Sequence, residues 1–193
     1  MEKLLSILIC SIEERTEQLK RLVDSLEKQK AELENSDMVE IISLVDNKEI
    51  SIPEKRNKLI DLSSSEYMCF IDDDDLVSDN YLKLITNALE EKPDCVGIEG
   101  RIKWGGKYCL FCHSLEYSGW YTGTDGIFYR TPNHLNPIKS RFVKRVRFDE
   151  TLVDGGEDRQ FSMMISHMLK TEVYIQEPLY YYVPSKWVEG GAQ

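Results

Sequence analysis

Four consecutive aspartates, Asp72, Asp73, Asp74 and Asp75, have the residue type and spacing best suited to chemistry in this chain. They directly follow residues 67–71, a short apolar run that predicts a buried β-strand. Adjacent carboxylates repel one another, so placing them together costs stability unless a cation compensates. A hard cation such as Mg²⁺ or Mn²⁺ prefers oxygen ligands and commonly shares them with substrate phosphates. The run therefore predicts a site for a metal ion and a diphosphate, and the alternative is an acidic loop that caps the next helix.

A second acidic motif, Gly155-Gly156-Glu157-Asp158, opens a helix predicted over residues 157–169. Glycines let the backbone approach a ligand closely. Acidic residues in a first helical turn are also stabilised by the helix dipole, which offers a purely structural explanation for Glu157 and Asp158.

The elements that must position these motifs alternate between strand and helix over the first 90 residues. Apolar runs predict strands over residues 4–10, 39–45 and 67–71. The helices between and after them are predicted from a capping box at Ser11 and Glu14, from residues 55–62, and from a cap at Ser78. This order predicts an α/β fold whose central mixed, mostly parallel sheet is flanked by helices.

Beyond residue 93 the pattern changes to short β-like runs over residues 95–99, 108–117 and 127–130, followed by the helix over 157–169. We interpret these runs as an extension of the same sheet. The expected organisation is one domain over residues 1–193, with a nucleotide-binding half (1–92) and an acceptor-binding half (93–193).

Composition excludes several classes of protein. The chain has 193 residues, of which 41% are hydrophobic and 30% charged, with a formal net charge of -10. This charge argues against a general nucleic-acid or anionic-membrane binder. The sequence contains neither an apolar run of the roughly 20 residues needed to cross a bilayer nor a signal peptide, so a cytoplasmic location is expected.

One local basic run departs from the acidic average. Either it forms a solvated surface or it contacts a phosphate-bearing substrate. Its members are Lys139, Arg141, Lys144, Arg145 and Arg147.

A possible redox or metal motif, Cys109-Leu110-Phe111-Cys112-His113, lies in an alternating, strand-like run. Zinc would require a second cysteine pair, and the sequence has only five cysteines. We therefore expect buried thiols here, and we interpret His134 as an ordinary loop residue.

The segment from Phe70 to Asp75 resembles the Asp-x-Asp signature of family 2 glycosyltransferases, which have the GT-A fold. Further similarities to that family occur in the same chain order. They are Ser11 with Glu13, Asp46, Lys55-Arg56-Asn57, Ser65-Glu66-Tyr67, Phe148-Asp149-Glu150 and Gly155-Gly156-Glu157-Asp158. Together they are much more specific than any one alone. The resemblance implies a glycosyltransferase of GT-A (Rossmann-like) fold that uses a nucleotide-sugar donor. A UDP-sugar is the leading candidate for this donor.

For the donor side, the resemblance implies that Asp74 is the main ligand of Mn²⁺ or Mg²⁺, with Asp72 beside it and Asp73 near the donor ribose. The metal and positive side chains would neutralise charge on the departing diphosphate. The other donor-binding residues implied are Ser11 and Glu13 in the nucleotide pocket, Asp46 or Asn47 at the base, and Arg56 near the base or diphosphate.

For the acceptor side, the resemblance implies an inverting reaction in which Asp158 is the general base that deprotonates an acceptor hydroxyl. Glu157 would hold acceptor hydroxyls or orient the loop. Aromatic faces stack well on sugar rings, although large aromatics are as often core residues. The acceptor-binding candidates near glycines are Trp104, Trp120, Tyr121 and Asp125.

The chain departs from the family pattern after its last strand, where related enzymes often carry a histidine that completes the metal site. Residues 180–187 contain none. Either the metal uses fewer protein ligands, or Lys186 neutralises some of the phosphate charge.

Two other functions compete with transfer. A nucleotidyltransferase uses a similar sheet and metal-binding aspartates, but it usually needs a glycine-rich loop after the first strand, where residues 10–14 have no glycine. A non-catalytic homologue that binds a nucleotide-sugar is the other alternative. The acceptor could be a saccharide, a protein, a lipid-linked sugar or a modified nucleic acid.

Overall fold

The computed structural model describes residues 3–104, 106–152 and 156–183. In its first half, strands rich in β-branched and large apolar residues alternate with amphipathic helices. These elements are β1 (Leu5–Ile12), α1 (Thr16–Ala31), β2 (Val39–Asp46), α2 (Ile52–Leu62), β3 (Tyr67–Phe70), β4 (Leu76–Val77) and α3 (Tyr81–Leu89).

The second half adds mostly short strands and two helices. They are β5 (Cys95–Trp104), β6 (Lys107–His113), β7 (Tyr121–Thr122), β8 (Phe128–Arg130), β9 (Ile138–Lys139), α4 (Ser140–Val146), α5 (Glu157–Ser166) and β10 (Glu172–Tyr182).

All ten described strands belong to one mixed sheet, with the order β2-β1-β3-β9-β5-β6-β8-β7 and with β10 beside β5 and β4. Strand β1 lies between β2 and β3 and is parallel to both. The long β5–β10 pair is also parallel. The carboxyl ends of β1, β2 and β3 therefore meet at one edge of the sheet, where open α/β sheets bind ligands. The mixed, mostly parallel sheet predicted from the sequence is confirmed.

Helices cover both faces of this sheet. Ile7 and Ile9 of β1 pack in one buried cluster with α1 and α3, whereas Leu8 packs in the other with α2, α4 and α5. Successive side chains of a strand point to opposite faces, so a strand covered on both sides is apolar at nearly every position. Residues 4–10 are accordingly apolar except at Ser6, whose buried hydroxyl is hydrogen-bonded to Ser63, Ser65 and Glu40.

Both predicted side-chain caps are wrong. Helix α1 begins at Thr16 after a 3₁₀ turn over Glu13–Arg15, and Ser11 instead donates a hydrogen bond to Asp73 Oδ2 at 2.6 Å. Helix α3 begins at Tyr81, where Gln29 of α1 accepts the Leu82 amide hydrogen bond at 3.0 Å. At α1 the predicted cap residue Ser11 is engaged by a residue distant in sequence, and at α3 a side chain distant in sequence accepts the amide hydrogen bond instead of Ser78.

Candidate active site

The four aspartates form a turn directly after β3, in which the Asp75 amide donates to the Asp72 carbonyl at 3.1 Å. Their side chains have different surroundings. Asp73 and Asp75 are buried, whereas the Asp72 and Asp74 side chains are 36% and 21% exposed. Two alternate carboxylates of the run are therefore accessible to a ligand, and the other two are engaged by the protein.

Asp73 is held by the segment that follows β1. Its two carboxylate oxygens accept hydrogen bonds from Ser11 at 2.6 Å and from Arg15 at 2.8 Å. The same Arg15 nitrogen lies 3.0 Å from Asp74 Oδ2. Arg15 thus supplies part of the positive charge that four adjacent carboxylates require, and its role was missed at the sequence level.

Asp75 joins the turn to the last strand. It accepts hydrogen bonds from Tyr180 Oη at 2.6 Å and from the Val183 amide at 2.7 Å, while Tyr180 Oη accepts the Asp72 amide at 3.2 Å. Burial, together with the negative charge of Asp72, raises the pKa of Asp75 to about 8. Asp75 and Tyr180 therefore hold the carboxyl end of β10 against the aspartate turn.

Three consecutive buried polar residues of α2 reach three different parts of the site. Lys55 donates to the Ser11 carbonyl at 2.7 Å and forms an ion pair with Asp46. Asn57 donates to the Phe148 carbonyl and accepts the Phe148 amide, each at 2.9 Å. Arg56, between them, points at the acidic residues. Successive side chains on a helix differ in bearing by roughly 100°, which explains why three neighbours serve three places.

Arg56 connects the two acidic motifs. Its guanidinium forms an ion pair with Asp158, and its nitrogens lie 3.5 Å from Glu157 Oε1 and 3.7 Å from Asp72 Oδ1. The Arg56 side chain is only 5% exposed, and its Cζ lies 5.0 Å from the centre of the Phe148 ring. Carboxylates from two acidic motifs more than 80 positions apart in the sequence thus share one buried cation.

His134 also belongs to this site. Its Nδ1 lies 3.1 Å from Asp158 Oδ1, and its Nε2 lies 4.0 Å from Asp72 Oδ2 and 3.4 Å from an Arg56 nitrogen. Burial acts to raise the pKa of Asp72, but His134, Arg56 and Arg15 outweigh it and lower this pKa to about 2. The interpretation of His134 as an ordinary loop residue is wrong.

The segment that carries His134, residues 131–137, connects strands β8 and β9 and is buried, although it has no regular secondary structure. Asn133 and Asn136 satisfy its polar backbone, since their side chains accept the Leu135 and Asn133 amides at 3.0 and 2.9 Å. The His134 carbonyl accepts the Phe70 amide at 2.8 Å. Paired asparagines and prolines around a histidine were the available signal, but they are typical of exposed turns as well.

At the start of α5, Glu157 is buried and Asp158 is partly exposed. Among the described residues, Glu157 Oε2 has no hydrogen-bond partner. Phe148 stacks on Phe161 of α5 with ring centres 4.3 Å apart. Phe148, in the Phe148-Asp149-Glu150 segment, therefore packs against both α5 and Arg56.

The acceptor candidates divide between two faces of β8. Phe128 and Arg130 lie on one face, where Trp104 packs on Phe128 with ring centres 6.0 Å apart and Trp120 stacks under Arg130. Tyr129 lies on the other face, with Tyr121 at 5.3 Å between ring centres and Asp125 accepting its hydroxyl at 2.8 Å. Strand alternation therefore separates Trp104 and Trp120 from Tyr121 and Asp125.

The other predicted donor residues lie near the ends of the first two strands. Asp46 ends β2, accepts the Ile50 amide at 3.0 Å and pairs with Lys55. Glu13 and Asn47 are exposed. Lys186 lies outside the described residues.

The basic run is largely occupied by the protein itself. Lys139 and Arg141 both pair with Asp94, at 3.4 and 3.3 Å, and Arg147 pairs with Asp61. Lys144 donates to the Ser63 carbonyl at 2.9 Å. These contacts favour the structural interpretation of the run.

All five cysteines lie in the described ranges and are free. Burial raises the pKa of the Cys10 thiol to about 12, so that it stays protonated beside the acidic residues. Of the thiols predicted to be buried on β6, Cys112 is buried and Cys109 is only partly buried.

Within the described ranges, no three histidine, cysteine or carboxylate side chains converge as a ready metal site. Asp72 and Asp74 nevertheless suit a hard divalent cation, because both offer partly exposed oxygens on the same turn. Mg²⁺-type ions are commonly bound by one or two carboxylates together with substrate phosphates. Two protein ligands on this turn are therefore compatible with a metal that the donor helps to bind.

The mixed sheet, its flanking helices and the acidic turn after β3 define an α/β fold of the GT-A type. Crystal structures of S. aureus TarS have this architecture. The 1–349 fragment of TarS in complex with UDP-GlcNAc matches with a TM-score of 0.68 at 18% sequence identity, over 97% of this chain and 60% of that chain. The same fragment in complex with UDP matches with a TM-score of 0.64 at 16% identity, over 94% and 60% of the two chains.

A third structure, of S. aureus TarS, matches with a TM-score of 0.65 at 17% identity, over 96% of this chain and 37% of that chain. At these identities the likeness shows the fold. The chain spans 60% of the TarS fragment. No protein-family model matches the sequence, and no curated protein matches it either. None of the helices in the described ranges is long and apolar enough to cross a membrane.

Proposed function

We propose that this chain is a metal-dependent, inverting glycosyltransferase that transfers a sugar from a UDP-sugar to an acceptor hydroxyl. The observation that carries the proposal is the convergence of Asp72 and Asp158 on Arg56, which brings the two acidic motifs together at the carboxyl edge of a GT-A sheet. The TarS structures with UDP and UDP-GlcNAc support a UDP-linked donor at the level of the fold.

On the donor side, Asp72 and Asp74 would hold Mn²⁺ or Mg²⁺, which supplies charge neutralisation for the departing diphosphate when bound. Asp73 would lie near the donor ribose, and because Ser11 and Arg15 engage both of its carboxylate oxygens, a direct bond to the ribose would replace one of these contacts. The nucleobase would lie toward Asp46 and Asn47 at the end of β2.

On the acceptor side, Asp158 accepts the proton of the acceptor hydroxyl as that oxygen bonds to the anomeric carbon of the donor. The bond between this carbon and the diphosphate oxygen breaks, and UDP leaves with its electron pair. Arg56 and His134 touch the Asp158 carboxylate and orient it toward the acceptor. A positioned base of this kind contributes about 10² to 10⁴ in rate.

UDP release from a panel of UDP-sugars, measured with Mn²⁺ or with EDTA, tests the proposal. One donor should release UDP only with the metal. Asp74→Ala should lower that rate by about 10² or more through lost diphosphate stabilisation. Asp158→Asn should lower it by about 10² to 10⁴ while leaving UDP binding intact.

Asp24→Asn is the matched control, since the one ion pair that Asp24 forms with a described residue is with Lys20 on the exposed side of α1. It should behave as the wild type. Metal-dependent binding of UDP without release from any donor would favour the non-catalytic alternative. An Asp158→Asn variant as active as the wild type would remove Asp158 from the role of base.

A further inference from the structure

Arg130 is an unusual cation in this acidic protein. Among the arginines that the structure describes, it is the one that is partly buried and has no carboxylate within ion-pair distance. Its guanidinium Cζ lies 4.2 Å from the centre of the Trp120 ring. Partial burial of a charge is costly unless the charge is paired, and no described residue supplies a carboxylate to the Arg130 guanidinium. An anion that is not among the described residues would therefore stabilise it.

A second positive charge lies close by. Burial and the charge of Arg159 lower the pKa of Arg130 from its ordinary value, and an arginine stays charged at neutral pH even so. Arg159 is exposed in the first turn of α5, next to Asp158, and has no ion pair with a described residue. Two like charges that have no carboxylate partner among residues 3–104, 106–152 and 156–183 favour the binding of an anion.

The position of Arg130 connects it with Asp158. The indole Nε1 of Trp120 donates to Ser162 Oγ at 2.9 Å, and Ser162 lies four residues after Asp158, on the same side of α5. Residues 131–134, which follow Arg130, run alongside α5 from Ser162 toward its first turn. Thr131 Oγ1 lies 2.7 Å from Ser162 Oγ, and His134 Nδ1 lies 3.1 Å from Asp158 Oδ1. Four residues of chain separate the Cα atoms of Arg130 and His134 by at most about 14 Å.

We propose that Arg130, stacked on Trp120, binds an anionic group of the acceptor, so that the acceptor is a sugar carrying phosphate or carboxylate. The assignment of this subsite to the acceptor rests on the proposed function, in which Asp158 receives the acceptor hydroxyl proton. A planar guanidinium pairs with phosphate or carboxylate through two parallel hydrogen bonds. The indole face would pack against the ring or chain that carries the charge.

The probe is the indole Nε1–H signal of Trp120 in a ¹⁵N–¹H correlation spectrum, assigned by its loss in Trp120→Phe. The protein is titrated with glucose, glucose 6-phosphate and glucuronate. These share one ring and differ in charge, and they distinguish phosphate from carboxylate. At least one of the charged sugars should shift the Trp120 signal saturably and bind at least tenfold more tightly than glucose.

Variants separate the guanidinium from general charge. Arg130→Gln should weaken the charged sugar about tenfold or more, to the level of glucose, and Arg130→Lys should lie between because it keeps charge without the planar pair. Arg159→Gln should cause a smaller loss. Arg145→Gln is the control, because Arg145 is an exposed arginine of α4 without an ion-pair partner among the described residues, and it should change nothing.

Equal binding of glucose and both charged sugars, or an Arg130→Gln variant that binds like the wild type, would overturn the proposal. The amide signals of Ser11 and Asn47 report UDP binding in the same samples. Binding of a charged sugar without UDP binding would leave the anion site standing and remove the proposed transfer. UDP binding with no preference for charged sugars would remove the anion site and leave the proposed transfer standing.

Discussion

Arg56 and Arg130 are both arginines withdrawn from solvent and stacked on aromatic rings, yet their electrostatic surroundings are opposite. Arg56 lies among three carboxylates, those of Asp72, Glu157 and Asp158. Arg130 faces only the positive charge of Arg159 among the described residues. The first cation is balanced inside the fold, so it serves stability and positioning together. The second has no such balance within the part of the chain that the structure describes, and this contrast is the basis for proposing a ligand as its partner.

The largest expected effect is that of Arg56→Met, which removes the cation shared by three carboxylates. Breaking a buried ion pair by removing one partner costs about 3 to 5 kcal/mol of the free energy of unfolding, because the remaining charges are uncompensated. Urea denaturation followed by tryptophan fluorescence measures this loss.

Arg141→Met is the matched control for Arg56. Arg141 pairs with Asp94, but its side chain is 67% exposed, so its removal should change the unfolding free energy by less than about 1 kcal/mol. A loss below that level in Arg56→Met as well would mean that the carboxylates do not depend on Arg56.

The second effect concerns Asp75, a buried carboxylate of the turn that has no ion-pair partner among the described residues. Its pKa is about 8 in the folded protein, against an ordinary value of 3.8. The folded state therefore holds more protons between these pH values, and the free energy of unfolding must fall as the pH rises through this window. The slope for one such group is at most about 1.4 kcal/mol per pH unit.

The difference between the wild type and Asp75→Asn, measured between pH 6.5 and 8 without metal, gives this slope. Burial lowers the pKa of His113 to about 3, which gives a slope of opposite sign, but only below pH 6.5. Asp75→Asn should flatten the stability profile in the upper window. A profile that keeps its slope in Asp75→Asn would place the titrating group elsewhere.

The smallest expected effect on the free energy of unfolding is that of Arg130→Gln, which removes the arginine of the comparison that has no carboxylate partner among the described residues. Arg130→Gln should change the free energy of unfolding by less than about 1 kcal/mol, because the lost stacking on Trp120 is partly offset by relief from Arg159. Urea denaturation under the conditions used for Arg56→Met provides the measurement. A loss above about 2 kcal/mol would show that Arg130 has a structural partner, and the contrast with Arg56 would disappear.

The first half of the fold was predictable because its signals are local. Residues 4–10, 39–45 and 67–71 are rich in apolar residues, and they form β1, the edge strand β2 and β3. The parallel order of the strands also predicted that the aspartate turn lies next to the carboxyl end of β1. The start of α5 at Glu157 was likewise predicted, and it is confirmed.

The missed features depend on contacts between distant residues. Ser11 fits a helix cap by its neighbours, but its hydroxyl bonds Asp73, 62 positions away. His134 enters the site because asparagine side chains stabilise a buried, irregular segment, which no periodic pattern indicates. The division of Trp120 and Tyr121 between two faces depends on where the short strand β8 begins, and one residue of register would reverse it.

Helix α2 gives the site a mechanical property. Its residues Lys55, Arg56 and Asn57 are fixed at three bearings on one rigid rod, and they hold the end of β2, the acidic pair and the Phe148 backbone respectively. A rotation of this rod about its axis would turn all three bearings together. In the proposed reaction, a nucleotide that binds beside Asp46 and displaces Lys55 would therefore also move Arg56, the ion-pair partner of Asp158.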